Sequence, residues 1–167
     1  SDFTIAAYQL IERFPSIGER TRRRYSHVLL DEYQDTSTTQ AALLAALFHV
    51  DASQRSAVNA VGDPFQSIYA WRGASPGAFR MFQQDFHLSA GYKPFPLSVT
   101  RRNSRIVLEA ANNLTLPLRS NPSRPSSSLM REVDVSSLDP MPDAPEGTLG
   151  VLGFATAGQE DRKSTRL

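Results

Sequence analysis

Apolar residues at Phe3, Ala6, Ala7 and Leu10 fall at i, i+3, i+4 and i+7. That spacing gathers side chains on one face of a helix, so the chain is expected to open on an amphipathic helix. GERTRRRY, residues 18–25, is expected to break it. HVLL at 27–30 lacks the alternation of a half-exposed strand and predicts a short strand covered on both faces, as in a parallel sheet. A helix is expected from Ser37, with Thr36 or Ser37 as cap and Leu43, Leu44, Leu47 and Phe48 as its buried stripe. AVNAVGD, residues 57–63, predicts a second strand, and SPGAFRMFQQDF, residues 75–86, a helix with Pro76 near its start.

GYKPFP at 91–96 is turn-rich and predicts a domain crossing. FPLSV at 95–99 predicts a strand, and SRIVLEAANNL at 104–114 a helix packing through Ile106, Ala110 and Leu114. From Pro117 to Ser128 the composition is that of a loop or linker, and GTLGVLGFAT at 147–156 predicts a last strand. Strand, helix and strand with short joins predict an open α/β sheet, and no internal repeat is visible.

The chain has 167 residues, 40% of them apolar, which suits one domain or pieces of two. Lys+Arg 18 against Asp+Glu 17 produces no global field, so affinity for nucleic acid must come from a local patch. The absence of cysteine excludes disulfides and Cys-based zinc sites and agrees with a reducing interior. His27, His49 and His87 are too scattered in sequence to predict a metal site. No apolar run reaches the roughly 18 residues of a membrane span, and no signal pattern opens the chain. A soluble, cytoplasmic protein without a membrane partner is expected.

In an open parallel sheet, ligands bind beyond the carboxyl ends of the strands, where Asp31 and Glu32 fall. One carboxylate there suits holding Mg²⁺ through oxygen, and the other suits orienting or deprotonating a water. That division of labour is the one nucleotide hydrolysis needs. An acidic pair that simply ends a strand in solvent is the plain alternative. VGDPFQSIYAWRGAS, residues 61–75, ends a second strand in Gly and Asp and then supplies Gln66, Tyr69, Trp71 and Arg72. The carboxamide of Gln66 can bond a terminal phosphate and an attacking water together. Tyr69 and Trp71, at i and i+2, share a side in extended chain. Bases stack on such rings for about 1–3 kcal/mol each, and Arg72 suits a backbone phosphate. Core aromatics with an ion-paired arginine are the alternative. Arg20, Arg22, Arg23 and Arg24 admit a DNA contact or a solvated face.

LLDEYQDTS and VGDPFQSIYAWRGAS resemble motifs II and III of the UvrD/Rep/PcrA-type superfamily 1 DNA helicases, and LSVTRRNSRIVLEAANNL resembles motif IV. The opening DF with its apolar helix is similar to the segment ahead of motif II. The resemblance implies ATP and Mg²⁺ as cofactors, with Asp31 holding the metal, Glu32 activating the hydrolytic water and Gln66 sensing the γ-phosphate. It places Tyr69, Trp71 and Arg72 on the track for single-stranded DNA, and Arg102 as an arginine finger from a second RecA-like domain. Thr100 and Arg101 stand where the family has Asn-Tyr, and Asn103 replaces Ser, so Arg101 and Arg105 compete with Arg102 for that role. Arg102 also reads as a surface arginine. Pro64 and Phe65 replace residues that are commonly acidic.

The implied fold is α/β, a partial RecA-like (P-loop NTPase) parallel sheet with flanking helices, plus the start of a second RecA-like domain. Residues 1–92 would be the C-terminal part of the first RecA-like ATP-binding domain. Residues 93–160 would begin the second, with a Pro/Ser-rich loop at 117–128, and 161–167 read as a cloning or assembly scar. No Gly-Lys pair occurs, and neither Lys93 nor Lys163 sits in a phosphate-cradling loop. An internal fragment, inactive alone, is therefore expected. The implied parent is an ATP-dependent helicase that translocates 3′ to 5′ on single-stranded DNA and unwinds duplex DNA in repair or recombination, alongside partner subunits. The alternatives are the motor subunit of a recombination helicase–nuclease and a degenerate DNA-binding module without ATP turnover.

Overall fold

Where one helix and a break were expected, the chain winds two helices. The computed structural model describes residues 2–49, 54–74, 77–89, 91–120 and 135–156. Within it, α1 (Asp2–Arg13) ends at Phe14 and Pro15 begins α2 (Pro15–Arg24). Proline suits a first helical position, where its missing N–H would have no partner anyway. Arg22, Arg23 and Arg24 complement the carbonyl end of the helix dipole, so GERTRRRY sustains a helix instead of breaking one. α1 also buries a face one residue away from the expected one. Thr4, Ala7 and Tyr8 are half-buried and Ile11 is buried, whereas Phe3 and Leu10 are exposed. Both series keep the helical period and share Ala7, and packing on α3 selects the one that ends in Ile11.

β1 (His27–Leu30) pairs in parallel with β2 (Ala57–Ala60), His27 opposite Ala57 and Leu30 opposite Ala60. The crossover between them carries α3 (Thr38–Phe48), as parallel strands require. Ser37 starts α3 with a capping box: its Oγ accepts from Gln40 N at 3.2 Å, and Gln40 Oε1 accepts from Ser37 N at 2.9 Å. Ala41 and Phe48 are buried there, and Leu43, Leu44 and Leu47 half-buried. β1 does not have both faces covered. Its residues alternate, Leu29 is exposed, and among the described residues only the face bearing Val28 and Leu30 is partly covered.

α4 (Ala78–Asp85) follows Gly77, and the expected Pro76 start lies outside the described residues. Its Phe79 and Phe82 take the ring of Tyr33 edge-on, at centroid distances of 6.3 and 5.3 Å. Among the described residues no helix is long and apolar enough to cross a membrane.

The chain divides into two units, the second made of residues 96–120 and 136–167. In the second, β3 (Val99–Thr100) pairs in parallel with β4 (Asp139–Pro140). FPLSV thus contributes only Val99 to a ladder, and residues 147–156 form no strand. The segment ahead of them serves α5 (Arg105–Ser120) instead: Pro145 O and Glu146 O accept from Arg105 N and Ile106 N at 2.9 and 3.1 Å. Helix N-termini leave such N–H groups unpaired, and here the neighbouring chain meets that need. α5 buries Leu108, while Ile106 and Ala110 are half-buried and Leu114 is exposed, so the expected stripe is displaced. Asn112 fixes the face by exchanging two hydrogen bonds with Leu138, at 2.8 and 3.0 Å. α5 also runs through Pro117, which makes 117–120 helical and not loop. Side chains of Thr115 and Arg119 donate to the carbonyls of Ala111 and Asn112, steadying the turn ahead of the proline. Residues 121–128 and 161–167 lie outside the described residues.

The observed class is mixed α/β with small parallel sheets. Of the finer expectation, the parallel pairing and flanking helices are what bear on the site.

Candidate functional site

In-register pairing makes β1 and β2 end at one level, so the loops that follow are neighbours. Val61 N donates to Leu30 O at 2.8 Å, and Tyr33 N to Val61 O at 3.0 Å. Between them Glu32 takes a left-handed conformation, φ 51° and ψ 40°. For a side chain with a β-carbon this costs about 1–2 kcal/mol and persists only where the surroundings over-determine it. The restraint is the next residue, since Tyr33 is almost wholly buried against α4. Burial pushes the Tyr33 phenol up to about 12, the charge of Asp85 adding to it. Its hydroxyl has no hydrogen-bond partner among the described residues.

The two loops share a string of side-chain contacts. Gln34 Nε2 donates to Glu32 Oε2 at 2.6 Å, and Gln34 Oε1 accepts from Asp63 N at 3.0 Å. Asp63 Oδ1 accepts from Phe65 N, and Asp63 Oδ2 from Gln66 Nε2, both at 2.9 Å. Glu32, Gln34, Gln66 and Tyr69 line one open cleft of about 500 Å³. Asp35 lines it too, and its Oδ1 is buried without a hydrogen-bond partner among the described residues. The structure therefore brings Glu32 and Gln66 together.

Asp31 is exposed beside this cleft, with Oδ1 accepting from Glu32 N at 2.8 Å. One hard carboxylate with an oxygen to spare fits Mg²⁺, an ion that is usually held by one or two carboxylates with substrate phosphates and water. Among the described residues no group of three or more His, Cys, Asp or Glu side chains converges on a metal position.

Tyr69 and Trp71 are not in extended chain. Ala70–Arg72 wind into a 3-10 turn closed by Gly73 at φ 90°, and Ala74 bridges back to Ser37. The rings meet edge to face instead, at 60° with centroids 6.3 Å apart. Arg72 lies over both, 5.3 Å from Tyr69 and 4.5 Å from Trp71. The three form one exposed cation–π cluster, with Trp71 73% exposed, which corrects both the expected extended chain and the buried-core alternative.

Arg102 belongs to the second unit and is exposed, its N donating to Thr100 Oγ1 at 3.4 Å. Its competitor Arg105 is engaged at home: Nε donates to Ala144 O at 3.1 Å and Nη2 to Pro142 O at 2.7 Å. Arg22 donates from Nη1 to Leu47 O at 2.7 Å, capping the end of α3, and so serves the fold, while Arg24 lies 5.3 Å from the Tyr25 ring centroid. His49 and His87, far apart in sequence, meet at 3.0 Å, a proximity spacing alone did not disclose. Burial holds His49 below its ordinary value, helped by the charges of His87 and Arg55.

Gln34 was not singled out from sequence, and Gly62 and Asp63 were noted only as the end of a strand, without a role. The available signals were a carboxamide two positions after the acidic pair and a Gly-Asp pair two positions past the second strand.

A family model described as the UvrD/REP helicase N-terminal domain matches residues 1–87. The chain is 36% identical over 113 residues to the ATP-dependent DNA helicase Rep of Salmonella typhimurium, covering 68% of this chain and 16% of that protein. It is 35% identical over 113 residues to the Escherichia coli protein of the same name, with the same coverage. Against the DNA helicase II of Rickettsia typhi it is 34% identical over 131 residues, 77% of this chain and 18% of the relative. The chain thus spans under a fifth of the length of these relatives.

Proposed function

The chain belongs to the UvrD/REP helicase family, and from that premise we propose that its parent protein is an ATP-dependent DNA helicase that moves 3′ to 5′ along single-stranded DNA, unwinding duplex in repair or recombination. Residues 1–92 would be the late part of a first RecA-like domain and 93–160 the beginning of a second. One observation carries the reading: Glu32 and Gln66, from the loops after two parallel strands, line one cleft and are joined through Gln34 and Asp63.

In this reading Glu32 orients the attacking water and accepts its proton as the water oxygen bonds the γ-phosphorus and the bond from that phosphorus to the bridging oxygen of ADP breaks. Gln66 exchanges its hydrogen bond with Asp63 for one to the γ-phosphate. Asp31 would hold Mg²⁺, which neutralises charge on the β- and γ-phosphates when bound. Arg102 would reach the same phosphate from the second domain. The cluster of Tyr69, Trp71 and Arg72 offers exposed ring faces to bases and a cation to the backbone. Only two residues separate it from Gln66, which supports coupling of DNA contact to nucleotide state.

The test is Glu32→Gln in the full-length protein. DNA-stimulated ATP hydrolysis should fall by at least about 100-fold while nucleotide binding persists. Turnover at the level of the unaltered protein would reject the role.

A further inference from the structure

Gln34 is 2% exposed, and its carboxamide is used at both ends. The donor end meets Glu32 at 2.6 Å, a charge-assisted contact, and the acceptor end meets the backbone of Asp63. Asp63 in turn holds Gln66 by Oδ2 and the turn at Phe65 by Oδ1. Ser67 Oγ donates to Gln34 O at 3.2 Å, so the main chain of Gln34 is tied to the same loop. Gly62 completes the arrangement. A β-carbon there would collide with Gln34 Oε1 and approach Tyr33 N to 3.1 Å.

We propose that Gln34 is a positioning residue for nucleotide turnover: it aims the Glu32 carboxylate and, through Asp63, holds Gln66 beside it until nucleotide arrives. The proposal rests on the hydrolytic roles assigned to Glu32 and Gln66. A carboxamide is the side chain the place requires. It offers a donor to the carboxylate and an acceptor to the backbone N–H from one planar group, which neither glutamate nor methionine does. The buried seat also restricts the rotamers through which Glu32 could otherwise turn away.

The experiment compares Gln34→Glu and Gln34→Met with Glu32→Gln in the full-length protein. Gln34→Glu keeps the shape and the acceptor for Asp63 N but sets a carboxylate against Glu32, with Asp35 and Asp63 nearby. Gln34→Met keeps length and removes both bonds. Loss of a hydrogen bond to a charged group that acts on turnover predicts kcat lower by about 10- to 100-fold in both variants. KM for ATP and affinity for an oligo-dT strand should stay within about twofold. Lowering the pH should restore part of the Gln34→Glu activity by returning a proton donor, and should restore none to Gln34→Met. Gln34→Glu decides the matter if the Met variant does not fold. Unchanged kcat in Gln34→Glu, or a fall in kcat matched by equal losses in ATP and DNA binding without pH rescue, overturns the proposal. Full turnover in Glu32→Gln instead identifies the failure of the underlying reading.

Discussion

The side chain of Gln34 fills the space that a β-carbon on Gly62 would take. The two residues come from different strand ends, so the closeness of the loops depends on a glycine. Its φ is not in the left-handed region, and clearance alone is what excludes a larger residue.

Gly62→Ala should therefore displace the Gln34 carboxamide before it disturbs the strands, because the struck atom is the end of a flexible side chain. An unfolding cost of about 1–3 kcal/mol is expected from overpacking, with Phe79 also crowded. ATP turnover by the full-length protein should drop further than that cost explains. Urea unfolding and steady-state hydrolysis measured on the same preparation provide the check.

Tyr33 buries a hydroxyl that finds no partner, so Tyr33→Phe should stabilise the fold by about 1 kcal/mol, the penalty of an unpaired buried group. The phenol's ordinary value is 10.0, and in the fold it is pushed to about 12. Between those limits the unfolded chain releases the proton and the folded chain keeps it. Stability should fall as pH rises through that window, and the phenylalanine variant should lose the share of the slope that Tyr33 contributes. Unfolding midpoints taken from pH 9 to 12 decide it; parallel curves for both proteins would be the contrary outcome.

The capping box at Ser37 makes Ser37→Ala cost about 0.5–2 kcal/mol, because the Gln40 N–H loses its acceptor at the start of α3. Ser37→Asp should recover most of the loss. A denaturant midpoint unmoved by the alanine would show that the cap contributes nothing.

Trp71 is the chain's single tryptophan and stands 73% exposed under the guanidinium of Arg72. Oligo-dT binding should quench its emission as a base covers the indole. Arg72→Ala should weaken that binding several-fold and lessen its salt dependence, since it removes one cation from the backbone contact. Titration at rising salt, with constant emission as the adverse result, tests both statements.

The strand, cap and turn signals around 27–66 were legible because they are local: HVLL ends in acids, Ser37 precedes a helical run, and glycine closes a strand. Asp31, Glu32 and Gln66 could be named for the same reason. What escaped was set by partners distant in sequence. Ile11 rather than Leu10 is buried because α3 lies on that side, and Leu114 is exposed because Asn112 turns α5 toward Leu138. Residues 147–156 have a strand's composition, yet the chain just ahead of them is occupied with the first N–H groups of α5. The role of Gln34 was hidden likewise, since its acceptor contact lies 29 positions along the chain.

The matched register of β1 and β2 has a consequence for how this chain can vary. Leu30 faces Ala60, and only a few residues beyond each carry the groups that must meet. One residue added to either strand would advance its loop by about 3.3 Å and turn its side chains to the opposite face of the sheet. Substitution at an outward position such as Leu29 is comparatively tolerable, whereas insertion or deletion between His27 and Gln34, or between Ala57 and Gln66, is not. The distance in residues from strand to loop thus acts as a ruler that sets whether the two groups can meet at all.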